Sequence, residues 1–220
     1  MGNSQKSADF KSATKPIVIG IVGGVASGKS AVAEILSNWG ARLLDADRIA
    51  HRVLTEKAVQ QPLIARFGEA IRGPEGKILR GKIAEIVFGD TAEAVQGRAF
   101  LESVVHPRVK CELEQELAEA TSAGTPMVIL DVPLLLEVGW KKLVDAIIFV
   151  DTPTDVRFER VQARGWSEAD LQTRESTQWP IDKKRAAADF VLNNAGSLAE
   201  TEHQLAKWCR KKYGEEPFTN

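Results

Sequence analysis

The segment Gly23-Gly24-Val25-Ala26-Ser27-Gly28-Lys29-Ser30 fits the pattern G-x-x-x-x-G-K-[ST] and stands between an apolar run and a helical one. Ile17-Val18-Ile19-Gly20-Ile21-Val22 does not alternate, so it predicts a strand buried on both faces of a parallel sheet. After the glycines, Val32, Ile35, Leu36 and Trp39 recur at helical spacing from Lys29 to Trp39, with Gly40 as the stop. Ala41 to Leu44 predicts a second strand, which runs into Asp45-Ala46-Asp47. Strand, glycine-rich turn, helix and strand in that order make a βαβ unit. The glycines let successive backbone N–H groups turn inward as an anion nest, and the helix start adds its positive end. A loop of this kind takes a nucleoside triphosphate: Gly24, Ala26, Ser27, Gly28 and Ala31 line it, Lys29 bridges the β- and γ-phosphates, and the Ser30 hydroxyl ligates Mg²⁺.

Strand-like runs disappear from Arg48 to Gly124. Helical patterns cover 48–54, 60–67, 81–88, 93–105 and 107–123. Such a block between two strands predicts an insert beyond the carboxyl ends of the strands, where ligands bind. Met127–Asp131 and Ala146–Asp151 predict two further strands, each ending on a carboxylate. A helix is expected over 153–163. The stretch from Arg164 to Arg185, rich in charge and weak in apolar periodicity, is expected to be a mobile flap. Phe190-Val191-Leu192 reads as a last strand, and Ser197 as the cap of a closing helix through Tyr213. The expected fold is therefore α/β, a three-layer P-loop sandwich on a parallel sheet of about five strands. Its core comprises 16–47, 125–152 and 188–213, its helical insert 48–124 and its lid 153–187. A disordered tail is expected over 1–15 and a second tail over 214–220.

The 29 Lys and Arg balance 30 Asp and Glu, so the net charge of -1 provides no global field for nucleic acid or an acidic membrane. No run approaches the roughly 20 apolar residues that cross a bilayer. The first fifteen residues lack the apolar stretch of a secretory signal, and Lys6 stands where a Met-Gly myristoylation start needs Ser or Thr. The two cysteines, Cys111 and Cys209, make no disulfide framework and fit a reducing compartment. The expectation is a cytoplasmic protein with a small-molecule partner, neither nucleic acid nor membrane, working as a monomer or weak homo-oligomer.

A phosphate loop does not say what happens to the nucleotide. The guanine-reading Asn-Lys-x-Asp of switch GTPases is absent, since no Asn-Lys pair occurs. What the chain offers is a second acidic site. Asp45 and Asp47, at the end of the strand after the loop's helix, should face the terminal phosphate. One is expected to cap the helix starting at Arg48 and the other to accept the proton of an attacking hydroxyl. Asp131, ending its apolar strand, is either a carboxylate that orients Mg²⁺ through water or an ordinary strand-end residue. Arg157, Arg160 and Arg164 share one helix face, from which one or two can reach the transferring phosphoryl group. Arg164 sits beside Gly165 at the helix end, whereas Arg157 reads as solvated, as do Lys183, Lys184 and Arg185. Phosphorylation of a small molecule, such as a nucleoside monophosphate or sugar, and a regulatory nucleotide-dependent ATPase both remain open at this point.

Several further segments recur together. Asp45-Ala46-Asp47 is followed by Ile49-Ala50, then by Phe67-Gly68, Ile86-Val87-Phe88 and His106-Pro107. Leu130-Asp131-Val132-Pro133-Leu134-Leu135-Leu136-Glu137 precedes a tail carrying Gln178, Arg185, Ala188-Asp189 and Asn193. In order and kind this resembles the dephospho-CoA kinase family over nearly all of the chain from Ile17 to Tyr213. The chain departs from the family pattern in having Val22 for Thr, Val25-Ala26 for Ile-Gly, Leu136 for Phe, and one residue fewer after Arg164. The resemblance implies ATP-dependent phosphorylation of the ribose 3′-hydroxyl of dephospho-CoA, with Mg²⁺, to give coenzyme A and ADP. It implies a nucleotide core, a helical CoA-binding part and a lid. It makes Asp47 the base that receives the 3′-hydroxyl proton, Lys29 and Ser30 the phosphate and metal residues, and Arg164 and Arg160 the lid arginines. It also puts Asn193 at the ATP adenine and Asp45 and His106 at the acceptor. The residues themselves leave His106 open to a second reading, in which it packs beside a Pro107 at the first position of a helix.

Overall fold

Apolar side chains leave both faces of Ile17–Gly23. In the computed structural model, which describes residues 15–89 and 91–214, this strand (β1) is the middle of a five-stranded sheet. The other strands are β2 (Arg42–Asp45), β3 (Met127–Asp131), β4 (Ala146–Asp151) and β5 (Phe190–Asn193). Every pairing is parallel and the order is β2-β3-β1-β4-β5. Alternate residues of β1 serve different cores. Ile19 and Ile21 join Ile129, Ile148 and Leu192 beneath α1 (Lys29–Asn38) and α9 (Leu198–Tyr213), which contribute Leu36 and Leu205. Val18 and Val22 join Val128, Leu130 and Phe149 on the other face. That face is covered from α2 (Ala46–Val53), α3 (Lys57–Phe67), α4 (Arg80–Val87) and α5 (Ala92–Ser122) by Ile49, Leu63, Ile83 and Leu113. Each such fully buried aliphatic side chain stabilises the fold by roughly 1.5–3 kcal/mol.

The chain adds β2 and β3 on one side of β1, then β4 and β5 on the other. Strand order thus reverses at β1, and in an open α/β sheet the ligand crevice lies outside the carboxyl ends at such a reversal. The glycine-rich loop leaves β1 there. Asp45, at the end of β2, pairs in register with Asp131 at the end of β3.

Two expectations are corrected. The predicted helices 93–105 and 107–123 are one helix, α5, which continues through Pro107. The proline only deprives the Ser103 carbonyl of its N–H, and the buried residues Val105, Val109 and Leu113 hold the helix against its neighbours on either side of it. The predicted flap 164–185 is helical: after α6 (Thr154–Gln162) come α7 (Glu168–Ser176) and α8 (Ile181–Ala186). Ser167 and Asp170 form a capping box at the start of α7, and Leu171 and Lys184 are buried. Ser197 does cap α9, in a second capping box with Glu200. The expected tails lie outside the described residues apart from Lys15, whose ammonium meets the Asp145 carboxylate at 3.0 Å, and Gly214. No helix among the described residues is long and apolar enough to cross a membrane.

Candidate nucleotide and phosphoryl-transfer site

Carbonyls tied outward leave a loop's amides free to point inward, and the loop between β1 and α1 is held in this way. The Ser27 carbonyl accepts from Thr152 Oγ1 and Asn194 Nδ2, each at 2.8 Å, and from Arg160 Nη1 at 3.2 Å. Gly28 takes φ +94°, and a Cβ there would collide with the Asn194 amide. Ala26 bears a left-handed φ of 59° despite its Cβ, a conformation that costs about 1–2 kcal/mol and is imposed by these surrounding bonds. The hydroxyl of Ser27, whose side chain is buried, has no protein partner.

Lys29 curls back over the loop and donates to the Gly24 carbonyl at 2.9 Å and the Gly23 carbonyl at 3.3 Å. Burial, with help from the Lys184 and Arg157 charges, pulls its pKa down to about 8 against the opposing pull of Asp131 and Glu175. The cleft above holds about 450 Å³ and is lined by Ala26 to Ala31 together with Arg160, Arg164, Asn194, Gly196 and Leu198.

One of the paired aspartates caps the helix that follows, as expected. Asp45 is the N-cap of α2, its Oδ1 accepting the Arg48 N–H at 2.9 Å. Asp47 lies in the first turn of that helix, open to solvent on one side. Surrounding protein desolvates its carboxylate and the Asp45 charge repels it. These effects outweigh His51, Arg80 and Lys29 and hold its pKa above the usual carboxylate range. Asp131 is likewise raised, first by burial and then by Asp45 and Asp47, with Lys29 opposing. Asp45, Asp47, Asp131 and Lys29 therefore share one electrostatic neighbourhood at the carboxyl end of the sheet.

All three arginines of α6 and its end face the loop. Arg164 is exposed and lines the cleft, and Arg160 also donates to the Ala26 carbonyl at 3.3 Å and the Asn194 carbonyl at 3.2 Å. Arg157, expected in solvent, is 2% exposed. It donates to the Val25 carbonyl at 3.3 Å and Thr154 Oγ1 at 3.2 Å and pairs with Glu175. Lys184, also expected in solvent, is buried against Glu137 at 3.0 Å and Gln178 at 2.7 Å. Of its neighbours, Lys183 stacks on Trp179 and Arg185 pairs with Asp151. Asn193, expected at the adenine, turns its Oδ1 to the Ala195 N–H at 3.0 Å, and it is Asn194 that lines the cleft. His106 sits in the middle of α5, edge-on to Trp140 with ring centroids 6.2 Å apart, so the reading that put Pro107 at a helix start fails. Thr152, Asn194 and Glu175 carry no local signal, and Arg157 and Lys184 read as solvated, because each acts through a partner far off in sequence.

The residues fit a nucleoside triphosphate: the cleft combines an amide nest, an orphaned buried hydroxyl and three cationic side chains. They also fit Mg²⁺ as an ion shared with phosphates. Ser30 opens α1 with an exposed hydroxyl and Asp131 stands nearby in the same charge cluster. Among the described residues no group of three or more acidic, His or Cys side chains is close enough to hold a cation alone, so oxygen ligands from phosphate and water would complete the shell.

A family model described as dephospho-CoA kinase matches residues 17–200. The dephospho-CoA kinase of Carboxydothermus hydrogenoformans is 38% identical over 202 residues, which cover 89% of this chain and 96% of that protein. A crystal structure from Thermus thermophilus superposes with a TM-score of 0.75 at 35% identity, covering 91% of this chain and 100% of that one. The dephospho-CoA kinase from Campylobacter jejuni superposes at 0.66 with 25% identity, covering 88% and 96%.

Proposed function

The chain belongs to the dephospho-CoA kinase family, and from that premise we propose that it transfers the terminal phosphoryl group of ATP to the ribose 3′-hydroxyl of dephospho-CoA, giving coenzyme A and ADP. One observation carries the chemistry. Asp45 is spent as a helix cap, while Asp47 is a carboxylate with no cap to serve, its pKa raised, within the field of the phosphate-loop lysine. A base poised in this way takes the proton from the attacking hydroxyl as the oxygen–phosphorus bond forms. The loop amides and Lys29 hold the phosphates, Arg164 approaches the transferring group, and Arg160 fixes the loop it acts on. Asn194, rather than Asn193, is the asparagine of the nucleotide cleft. Asp45 lies beside the reacting oxygen, and His106 belongs to the wall of the acceptor part. Ser30 would hold Mg²⁺, with Asp131 orienting its water shell, and the ion would neutralise charge building up on the phosphates.

In this reading 48–124 is the acceptor-binding insert and 153–187 a lid that excludes water so that ATP is not wasted by hydrolysis. The enzyme works in the cytoplasm, where its free cysteines, Cys111 and Cys209, stay reduced. The test is ADP release with ATP and a panel of acceptors. Release should require dephospho-CoA. A rate no faster than buffer with that acceptor, or equal release with a nucleoside monophosphate or a sugar, would overturn the assignment.

A further inference from the structure

Glu175, on α7, reaches across to the phosphate loop. Its Oε1 accepts the backbone N–H of Val25 at 3.2 Å and also pairs with Arg157. Its charge acts on the Lys29 ammonium, opposing the fall in that group's pKa. The contact is close: a Cβ on Gly24 would stand 2.8 Å from Arg157 Nη1 and 3.1 Å from Glu175 Oε1. One carboxylate thus engages a loop amide, the field of the loop lysine and a buried guanidinium. The Nε of that guanidinium has no partner. Amide, lysine and guanidinium are the donor set that a phosphoryl group takes.

We propose that Glu175 is a positioning residue that occupies the donors of the terminal phosphoryl group until ATP displaces it, while ADP, lacking that group, leaves it in place. The inference rests on the reading of this loop as the ATP site. Two anions cannot share one amide and one guanidinium without repulsion. The phosphoryl brings more charge and more acceptor oxygens than the carboxylate, so it takes the site, but each ATP binds against the cost of moving Glu175. Arg157 keeps an anionic partner throughout, first the carboxylate and then the phosphoryl. Leu171 is the buried residue of α7, which leaves that helix lightly anchored and able to carry Glu175 away.

The test is the ratio of ATP to ADP affinity, measured by calorimetry on the full chain without acceptor. In Glu175→Ala, ATP should bind about tenfold tighter, the size of effect expected from removing one charged competitor for a hydrogen bond. ADP affinity should change far less, since ADP meets only the field of Glu175 on Lys29 and not the donors it occupies. Glu175→Gln, which removes the charge and keeps the shape, should move the ratio in the same direction. It decides the matter if the alanine variant, with Arg157 left uncompensated, does not fold. ATP affinity that is unchanged or weaker, or equal tightening for both nucleotides, overturns the proposal. Transfer to dephospho-CoA by the unsubstituted chain is measured alongside. If that fails, the function assigned above fails with it; if it succeeds and the affinity ratio stays put, only the role of Glu175 is lost.

Discussion

Burial disfavours the charged forms of both Asp47 and Lys29, which moves their pKa values in opposite directions. The Asp47 pKa is raised by desolvation and by Asp45. Its contribution to stability is therefore present below the unfolded value and is lost as pH rises through the folded one. The Lys29 pKa is lowered to about 8 by burial, so its charged form strains the fold at neutral pH and the strain is relieved as pH rises through that value. Plotted against pH, kcat/KM should fall on the acid side as Asp47 takes up its proton and on the alkaline side near 8 as Lys29 loses one. Asp47→Asn should remove the acid limb and lower kcat by about 10²-fold or more. ATP binding by calorimetry should persist. The thermal midpoint of the variant should exceed that of the parent at neutral pH, with the gain vanishing in acid. Unaltered turnover would show that another group takes the proton.

At the scale of elements, α2 matters because it begins directly where β2 ends. The cap and the carboxylate proposed as base are two residues apart, so the N-terminus that Asp45 satisfies also orients Asp47. The two contributions of Asp45 can be separated. Asp45→Asn keeps a capping oxygen and removes the charge, so the helix should hold while the Asp47 pKa drops and the acid limb of the rate profile moves to lower pH. Asp45→Ala removes both, and unfolding by denaturant should show a further loss of about 1 kcal/mol. An acid limb that stays put in both variants would mean that the Asp45 charge does not reach Asp47.

Across the whole molecule, the Lys184–Glu137 pair joins α8 to the segment after β3. The side chains are 1% and 12% exposed, and Glu137 also accepts the Trp179 N–H at 2.7 Å. This buried junction ties α8, at the far end of the proposed lid, to the core. Removing one member of such a pair strands the other charge. Lys184→Met should therefore cost about 3 kcal/mol or more in denaturant unfolding, well above the loss for an exposed lysine. An unmoved midpoint would show that the pair does not hold the lid end.

The strands, the phosphate loop and a helix cap supplied by one of the two aspartates after β2 were legible along the chain. They follow from local rules: apolar runs for strands buried on both faces, glycines where the backbone must curl, a short acidic side chain at a helix start. Family resemblance supplied the acceptor, which no local rule could have named. Arg157, Lys184, Asn194 and Glu175 were not legible. A cation in a charge-rich stretch looks solvated until a counter-charge is brought to it, and Arg157 lies 132 positions from the Val25 carbonyl it binds. The helicity of α7 and α8 was hidden for a related reason, since short helices carry too few apolar turns to show a period. The amino-acid order determined which backbone could cradle phosphate, because that depends on neighbours in sequence. Only the tertiary structure decided which charges are buried beside that cradle, because burial and pairing depend on neighbours in space.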